Sequence, residues 1–260
     1  MVVPGSFTKL STLRETLHSE SNKYSRGVVT VAAGSSRFPG AALLAVGGAR
    51  LGNAGYVKFL STSSSLREIV VSKFPDVVPI TSLQRERSDA LVVGPGGAKI
   101  SKLPSGIPVI LDGAVMQNLS RTTFRSGSGP IVVTPHEGEL RFLQEPAKSL
   151  AGHEERLALS RSIAARLNVI VVLKGHRAIV ASPSGESWVD EIGGPELATA
   201  GSGDILAGLI GSILVACKDG KNPFDLVCRA VTLHSRAGAL AKKRYQVVTA
   251  SEILECLALV

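Results

Sequence analysis

The stretch Glu196-Leu197-Ala198-Thr199-Ala200-Gly201-Ser202-Gly203-Asp204-Ile205-Leu206-Ala207-Gly208-Leu209-Ile210 decides how this chain is read. A polar turn, A-G-S-G-D, opens directly into an apolar helical run. Gly201 and Gly203 let the backbone approach a ligand and adopt conformations that other residues avoid. Ser202 and Asp204 stand where the helix begins, so its first free N–H groups point at the turn. Such a helix start attracts phosphate and stabilises developing negative charge. Asp204, one residue from that anion site, is placed to take or orient a proton from a hydroxyl beside a phosphate. The plainer alternative is a capped helix after a glycine turn, with Asp204 merely favourable to the helix dipole.

Outward from this turn, the chain is long enough, at 260 residues, to bury a sizeable core as one α/β domain. Its 44% apolar and 19% charged content argue against disorder. The one biased run, Ser61 to Ser65, reads as a loop and helix cap. Met1 to Thr8 lack the basic start and continuous apolar core of a signal peptide. The longest helical apolar run, Ile205 to Cys217, is bounded by Asp204 and Lys218 and is too short to span a bilayer. Cys217, Cys228 and Cys256 show neither metal-ligand spacing nor even pairing, as expected of buried thiols in a reducing cytoplasm.

The net charge of +8 lies in one half. Residues 1–130 carry 15 Lys and Arg against 7 Asp and Glu, whereas residues 131–260 carry 14 of each. An excess confined to one half suggests an anionic partner on that side. The basic residues are scattered and aromatics make up only 4%, so a phosphorylated small molecule fits better than nucleic acid. An ordinary basic surface is the alternative.

The remaining pattern alternates. Strands are expected at Val28–Ala33, Gly55–Leu60, Ala90–Val93, Pro108–Leu111, Ile131–Val133 and Val169–Leu173. Helices are expected at Ala41–Leu51, Leu66–Phe74, Glu139–Gln144, Glu154–Leu167, Asp204–Cys217, Pro223–Ala241 and Ser251–Leu259. A hairpin over Ala178–Val189 turns at Pro183-Ser184-Gly185. Short continuous apolar strands between helices indicate a doubly wound, mostly parallel sheet. Gly-rich or polar turns follow five of these strands, and ligands bind at that edge of open α/β sheets.

Five motifs stand in order: G-S-S-R-F-P-G-A-A (Gly34–Ala42), V-G-P-G-G (Val93–Gly97), T-P-H-E-G-E (Thr134–Glu139), V-V-L-K-G (Val171–Gly175) and A-T-A-G-S-G-D (Ala198–Asp204). Together they resemble the ADP- or ATP-dependent NAD(P)H-hydrate dehydratases, of ribokinase-like fold, from about Lys23 onward. The K-Y-S-R-G-V-V start, Lys23–Val29, is most similar to actinobacterial members. The resemblance implies one ribokinase-like domain over 1–260, with 1–22 as lead-in. It implies metabolite repair: a nucleotide phosphate phosphorylates the hydroxyl of hydrated NADH or NADPH, and loss of phosphate restores the double bond. ADP or ATP is the implied co-substrate, with Mg²⁺ carried by its phosphates and no resident metal.

The resemblance also assigns roles. Asp204 is the implied catalytic acid–base group. Ala41, Ala42, Gly96, His136 and Asp204 are implied in binding the hydrate. Lys174, Gly175, His176, Arg177 and Ala178 are implied in holding the nucleotide, and Gly201, Ser202 and Gly203 in holding the transferring phosphate. Arg37 is a further candidate for a phosphate, or a solvated side chain. The implied partners are the hydrate and the nucleotide, with no nucleic acid and no membrane, in a cytoplasmic homo-oligomer, a tetramer. Many members carry an N-terminal epimerase domain. About 22 residues precede the resemblance, too few for one, which leaves open an epimerase on a separate chain or one on a longer chain of which this is a piece.

Where the family commonly reads G-N-P-G-M-A-T-G-G-S-G-D, this chain reads G-G-P-E-L-A-T-A-G-S-G-D, which alters Gly194, Glu196 and Ala200. After Asp112 the family often has a second acid, and here Ala114-Val115-Met116 follows. Two other readings stay open: a sugar or vitamin-precursor kinase of the same fold, and a nucleotide-binding protein with little turnover. The dehydratase reading expects two adjoining pockets. One is lined by Lys174–Ala178 and Gly201–Gly203, and the other, for the dinucleotide, by Ala41, Ala42, Gly96 and His136. Were Ala41 and His136 to lie outside any cleft, the kinase reading would gain.

Overall fold

Five buried residues, Val28–Ala32, form strand β1 in the interior of the sheet. A strand apolar on both faces needs helices above and below it, which the alternating sequence supplies. In the computed structural model, which describes residues 17–118, 129–143 and 152–260, β1 is followed by α1 (Pro39–Arg50), β2 (Tyr56–Leu60), α2 (Ser64–Lys73), β3 (Val78–Ile80), β4 (Ala90–Val93), β5 (Val109–Leu111) and β6 (Ile131–Val133). Then come α3 (His153–Leu167), β7 (Ile170–Leu173), β8 (Ile179–Ala181), β9 (Ser187–Val189), α4 (Ser202–Leu214), α5 (Pro223–Arg244) and α6 (Ala250–Leu257).

Among the described residues the strands order as β3-β2-β1-β4-β5-β6-β7-β8-β9. Strands β1 to β7 pair in parallel, and β8 and β9 add antiparallel as the expected hairpin. The chain winds outward from β1 in one direction and from β4 in the other. The β1–β4 junction is therefore the switch point, where turns leave a crevice at the C-terminal strand ends.

Helix starts follow local chemistry. Ser63 caps α2 by accepting from the Leu66 N–H. Asn222 caps α5 ahead of Pro223, and Thr249 with Glu252 forms a reciprocal box on α6. Helices α1 and α4 touch backbone to backbone. A Cβ on Gly48 would fall 2.1 Å from the Ile205 carbonyl oxygen, and one on Gly208 1.9 Å from that of Ala45. This contact fixes the start of α4 against α1.

Three expectations need correction. Strand β3 was not expected, because Val78-Pro79-Ile80 is short and holds a proline, which suits an edge position. The expected helix from Glu139 is a 3₁₀ segment, Glu137–Leu143, and Gln144 lies outside the described residues. The α-helix from the anion turn stops at Leu214 and tightens into 3₁₀ geometry over Val215–Asp219. Met1–Thr8, Lys9, Arg14, Arg121 and Arg125 also lie outside the described residues. Among the described residues no helix is long and apolar enough to cross a membrane.

Candidate active site

The A-G-S-G-D turn is a sharp left-handed start to α4. Gly201 has φ +93°, and a Cβ there would lie 2.3 Å from Leu44 Cδ1, so both backbone shape and space call for glycine. Ala200 is not among the residues with positive φ, so the family's glycine there is dispensable to the backbone. Ser202, Gly203 and Asp204 form the first turn, where a helix has no internal acceptors for its N–H groups.

Lys174 lies over this turn from the end of β7. Its Nζ is 3.2 Å from where a Cβ on Gly203 would be. It donates to Asp112 Oδ1 at 2.8 Å and sits 3.5 Å from Glu139 Oε2. Thr134 Oγ1 donates to the same Asp112 oxygen at 2.6 Å. Burial works against the Lys174 charge, but Asp112 and Glu139 outweigh it and hold its pKa above the ordinary value. Ends of β5, β6 and β7 and the start of α4 thus bring one cation and three carboxylates together.

Asp204 is the unusual member. Burial first, then the charges of Asp112 and Glu139, push its pKa to about 7, with Lys174 pulling the other way. Near neutrality such a carboxyl can both accept and release a proton, as a general base must.

The sequence-expected residues divide in the structure. Asp204, Lys174 and Gly203 come together. Gly175, His176, Arg177 and Ala178 form the loop after β7, and Arg156 of α3 braces it. The buried Arg156 donates from Nη1 to the His176 carbonyl at 2.6 Å and from Nη2 to the Lys174 carbonyl at 3.1 Å. Its Nε lies 3.0 Å from Glu137 Oε1. His136 is more than half exposed, and its backbone N–H donates to Glu139 Oε2 at 2.9 Å. The Ser202 side chain points inward, where its Oγ lies 3.1 Å from Nε2 of the buried His234.

The small residues sit deeper than expected. Ala42 has no exposed surface, and Ala41 packs on Gly96, where an added Cβ would be 2.5 Å from the Ala41 Cβ. They shape the wall by backbone proximity, and Ala42 has no face left for a ligand. The large cleft, about 1730 Å³, opens beside them and is lined by their neighbours Gly34, Ser35 and Ala98, with Thr62, Lys99 and Lys102. Ala41, Ala42, Gly96 and His136 are not in its lining, which extends toward β2 and β3. Leu111, the residue before Asp112 at the end of β5, also lines it.

Several contributors escaped the sequence. Asp112 was visible only as a strand-end Asp-Gly, although the edge rule pointed there. Glu139 stood beside His136 but carried no signal for reaching Lys174 across β6 and β7. Arg156 and His234 lie within helices, where a lone polar residue reads as surface or core. Glu196, a charge that the family lacks at this position, turns back to accept from the Gly194 N–H at 3.0 Å and faces Lys242.

A family model described as NAD(P)H-hydrate dehydratase matches residues 29–258. The chain belongs to the NAD(P)H-hydrate dehydratase family. It is 30% identical to an ADP-dependent (S)-NAD(P)H-hydrate dehydratase of Bacillus subtilis, over 85% of this chain and 83% of that one. It is 34% identical to a bifunctional NAD(P)H-hydrate repair enzyme of Gloeobacter violaceus, over 87% of this chain but 47% of that one. The chain therefore spans about half the length of that bifunctional relative.

A crystal structure of the Bacillus subtilis ADP/ATP-dependent NAD(P)H-hydrate dehydratase, co-crystallised with ATP and Mg²⁺, superposes with a TM-score of 0.80. That match has 29% identity and covers 93% of this chain and 91% of that one. A ribokinase-like superfamily protein from Enterococcus faecalis shares the fold, with a TM-score of 0.78 at 24% identity, over 94% of this chain and 89% of that one. That Ala41 and His136 stand outside the lining of this cleft favours an ordinary kinase, whereas the family match favours a dehydratase.

Proposed function

We propose that this chain uses ADP or ATP to dehydrate the (6S) hydrate of NADH or NADPH. Asp204 carries the reading: a carboxyl poised near neutrality beside an open helix start and a half-buried lysine. The ring hydroxyl gives its proton to Asp204 and its oxygen takes the terminal phosphoryl group of the nucleotide. The C–O bond then breaks, orthophosphate departs, and a proton lost from the adjacent ring carbon restores the double bond. Hydroxide is a poor leaving group and phosphate a good one, so phosphorylation is what makes the elimination accessible.

The N–H groups of Gly203 and Asp204, with the Lys174 ammonium, suit the charge that builds on the transferring group. Glycine at 203 leaves the space beside the Lys174 ammonium clear. Lys174 to Ala178, braced by Arg156, hold the nucleotide. Magnesium would enter this site as a companion of the nucleotide phosphates, where it would neutralise their charge.

The cleft at Gly34, Lys99 and Lys102 holds the dinucleotide, with Ala41, Ala42 and Gly96 packed behind its Gly34 wall, and His136, outside that lining, remains a further candidate to meet the hydrate. The finer reading is a ribokinase-like catalytic domain in a cytoplasmic homo-oligomer, a tetramer, working with an epimerase of the hydrate and binding neither nucleic acid nor membrane.

Product stoichiometry tests the proposal. With hydrated NADPH and ADP, one orthophosphate should appear for each NADPH regained, and no phosphorylated dinucleotide should accumulate. Accumulation of a phosphorylated sugar or vitamin precursor, with the hydrate untouched, would favour the kinase reading.

A further inference from the structure

The triplet Gly201-Ser202-Gly203 poses a mechanical problem. An anion hole works only when its donors are held still before the charge arrives. Two glycines make the turn possible, yet they offer no side chain by which to hold it. Ser202, between them, is the one residue of the three with a group to grip. That group is turned into the protein, where Ser202 is 4% exposed. Its Oγ lies 3.1 Å from Nε2 of His234, itself 4% exposed on α5.

The neighbours of His234 on the buried side of α5 are apolar: Val227, Ala230, Val231 and Ala237. An apolar residue at 234 would suit that face without a polar atom to satisfy. Burial pushes the imidazole pKa down to about 4, so the ring is neutral and adds no charge beside the phosphate. The next residue of the same helix repeats the arrangement. Ser235 Oγ donates to Asp190 Oδ2 at 2.6 Å, and that oxygen also accepts from the Gly193 N–H at 2.9 Å. Two consecutive side chains of α5 therefore grip the segment that runs from Asp190 to the anion turn at both its ends.

Building on the dehydratase reading, we infer that His234 is a positioning residue for phosphoryl transfer, holding the anion turn in its working shape through Ser202. It touches neither hydrate nor nucleotide, and acts on the reaction only by keeping the Gly203 and Asp204 N–H groups and the Asp204 carboxyl in register.

The test is a double-mutant cycle on steady-state dehydration of hydrated NADPH, with His234→Leu, Ser202→Ala, the pair together, and His234→Gln. Each of the first two should lower kcat about tenfold or more, since small misplacements of reacting groups are costly. KM for the hydrate should stay within about threefold, because these residues lie off the binding cleft. The double variant should be no worse than the lower single, since both remove one hydrogen bond. His234→Gln, which keeps a hydrogen-bonding group, should recover part of the loss.

Unchanged kcat in Ser202→Ala, or losses that multiply in the pair, would overturn the inference. If His234→Leu fails to fold, Ser202→Ala and His234→Gln carry the comparison. If the wild type does not turn over, the dehydratase reading fails instead. The same cycle is then read as ADP affinity by calorimetry, where each single should weaken binding about tenfold and the pair no further.

Discussion

At the scale of the residue, Asp204 combines two properties that pull against each other. Its pKa near 7 means that the folded protein resists its ionisation, chiefly through burial and then through Asp112 and Glu139. The folded state holds a proton that an unfolded Asp, with a pKa near 3.8, has already lost. Between those two values the native state binds more protons, so this group's contribution to stability falls as pH rises from about 4 to 7. Asp204→Asn removes that penalty. It should raise the melting temperature relative to wild type at pH 8 and change it little at pH 4, as scanning calorimetry at both values would record. An equal shift at both would refute the assignment of the charge penalty. The same substitution should cost on the order of a hundredfold or more in turnover. For wild type, kcat/KM should rise with pH through a midpoint near 7. Asp204 and its turn were legible in the sequence because the chemistry sits in consecutive residues. Asp112, Glu139 and His234 were not, because their partners lie far along the chain and only the sheet brings them near.

At the scale of the element, the helices and most strands follow apolar periodicity and local caps, and the sequence shows them almost in full. What it does not show is how one element holds the loop of another. Arg156 lies in α3, in a pattern that reads as an ordinary amphipathic helix. Its guanidinium is spent on the carbonyls of the loop after β7, which is proposed to hold the nucleotide, and on Glu137 after β6. Hydrogen bonds to a charged group are each worth about 1.5–3 kcal/mol. Arg156→Lys keeps the charge but not the planar fork that spans two carbonyls. It should raise KM for the nucleotide on the order of tenfold, leaving KM for the hydrate nearly unchanged. Equal effects on both would show that α3 braces the whole site and not the nucleotide loop. The small residues of α1 teach a related point. Ala42 and Ala41 look like ligand-facing residues in the motif, yet helix packing against Gly34 and Gly96 turns them inward, and their neighbours meet the cleft.

At the scale of the whole molecule, the basic excess of residues 1–130 and the placement of the cleft agree. The lining of the 1730 Å³ cleft comes from residues 32 to 115, and its charged members among the described residues are Lys99 and Lys102. Replacing both by alanine should raise KM for hydrated NADPH more than for hydrated NADH, since the former carries one phosphate more, and the difference should shrink at high salt. Equal KM changes for the two would place that phosphate elsewhere. The charge asymmetry was readable from the sequence, whereas the cleft's position over β1, β2 and β3 depended on strand order, which no local pattern states. The central claim joins all three scales: a nucleotide-driven dehydration run by Asp204 at the switch edge of the sheet. The most direct measurement is the near-ultraviolet absorbance of reduced nicotinamide during incubation of hydrated NADPH with ADP or ATP and Mg²⁺. It should rise with wild type, stay flat without nucleotide, and stay nearly flat with Asp204→Asn. A flat trace with wild type under every nucleotide, or an equal rise with Asp204→Asn, would contradict the account.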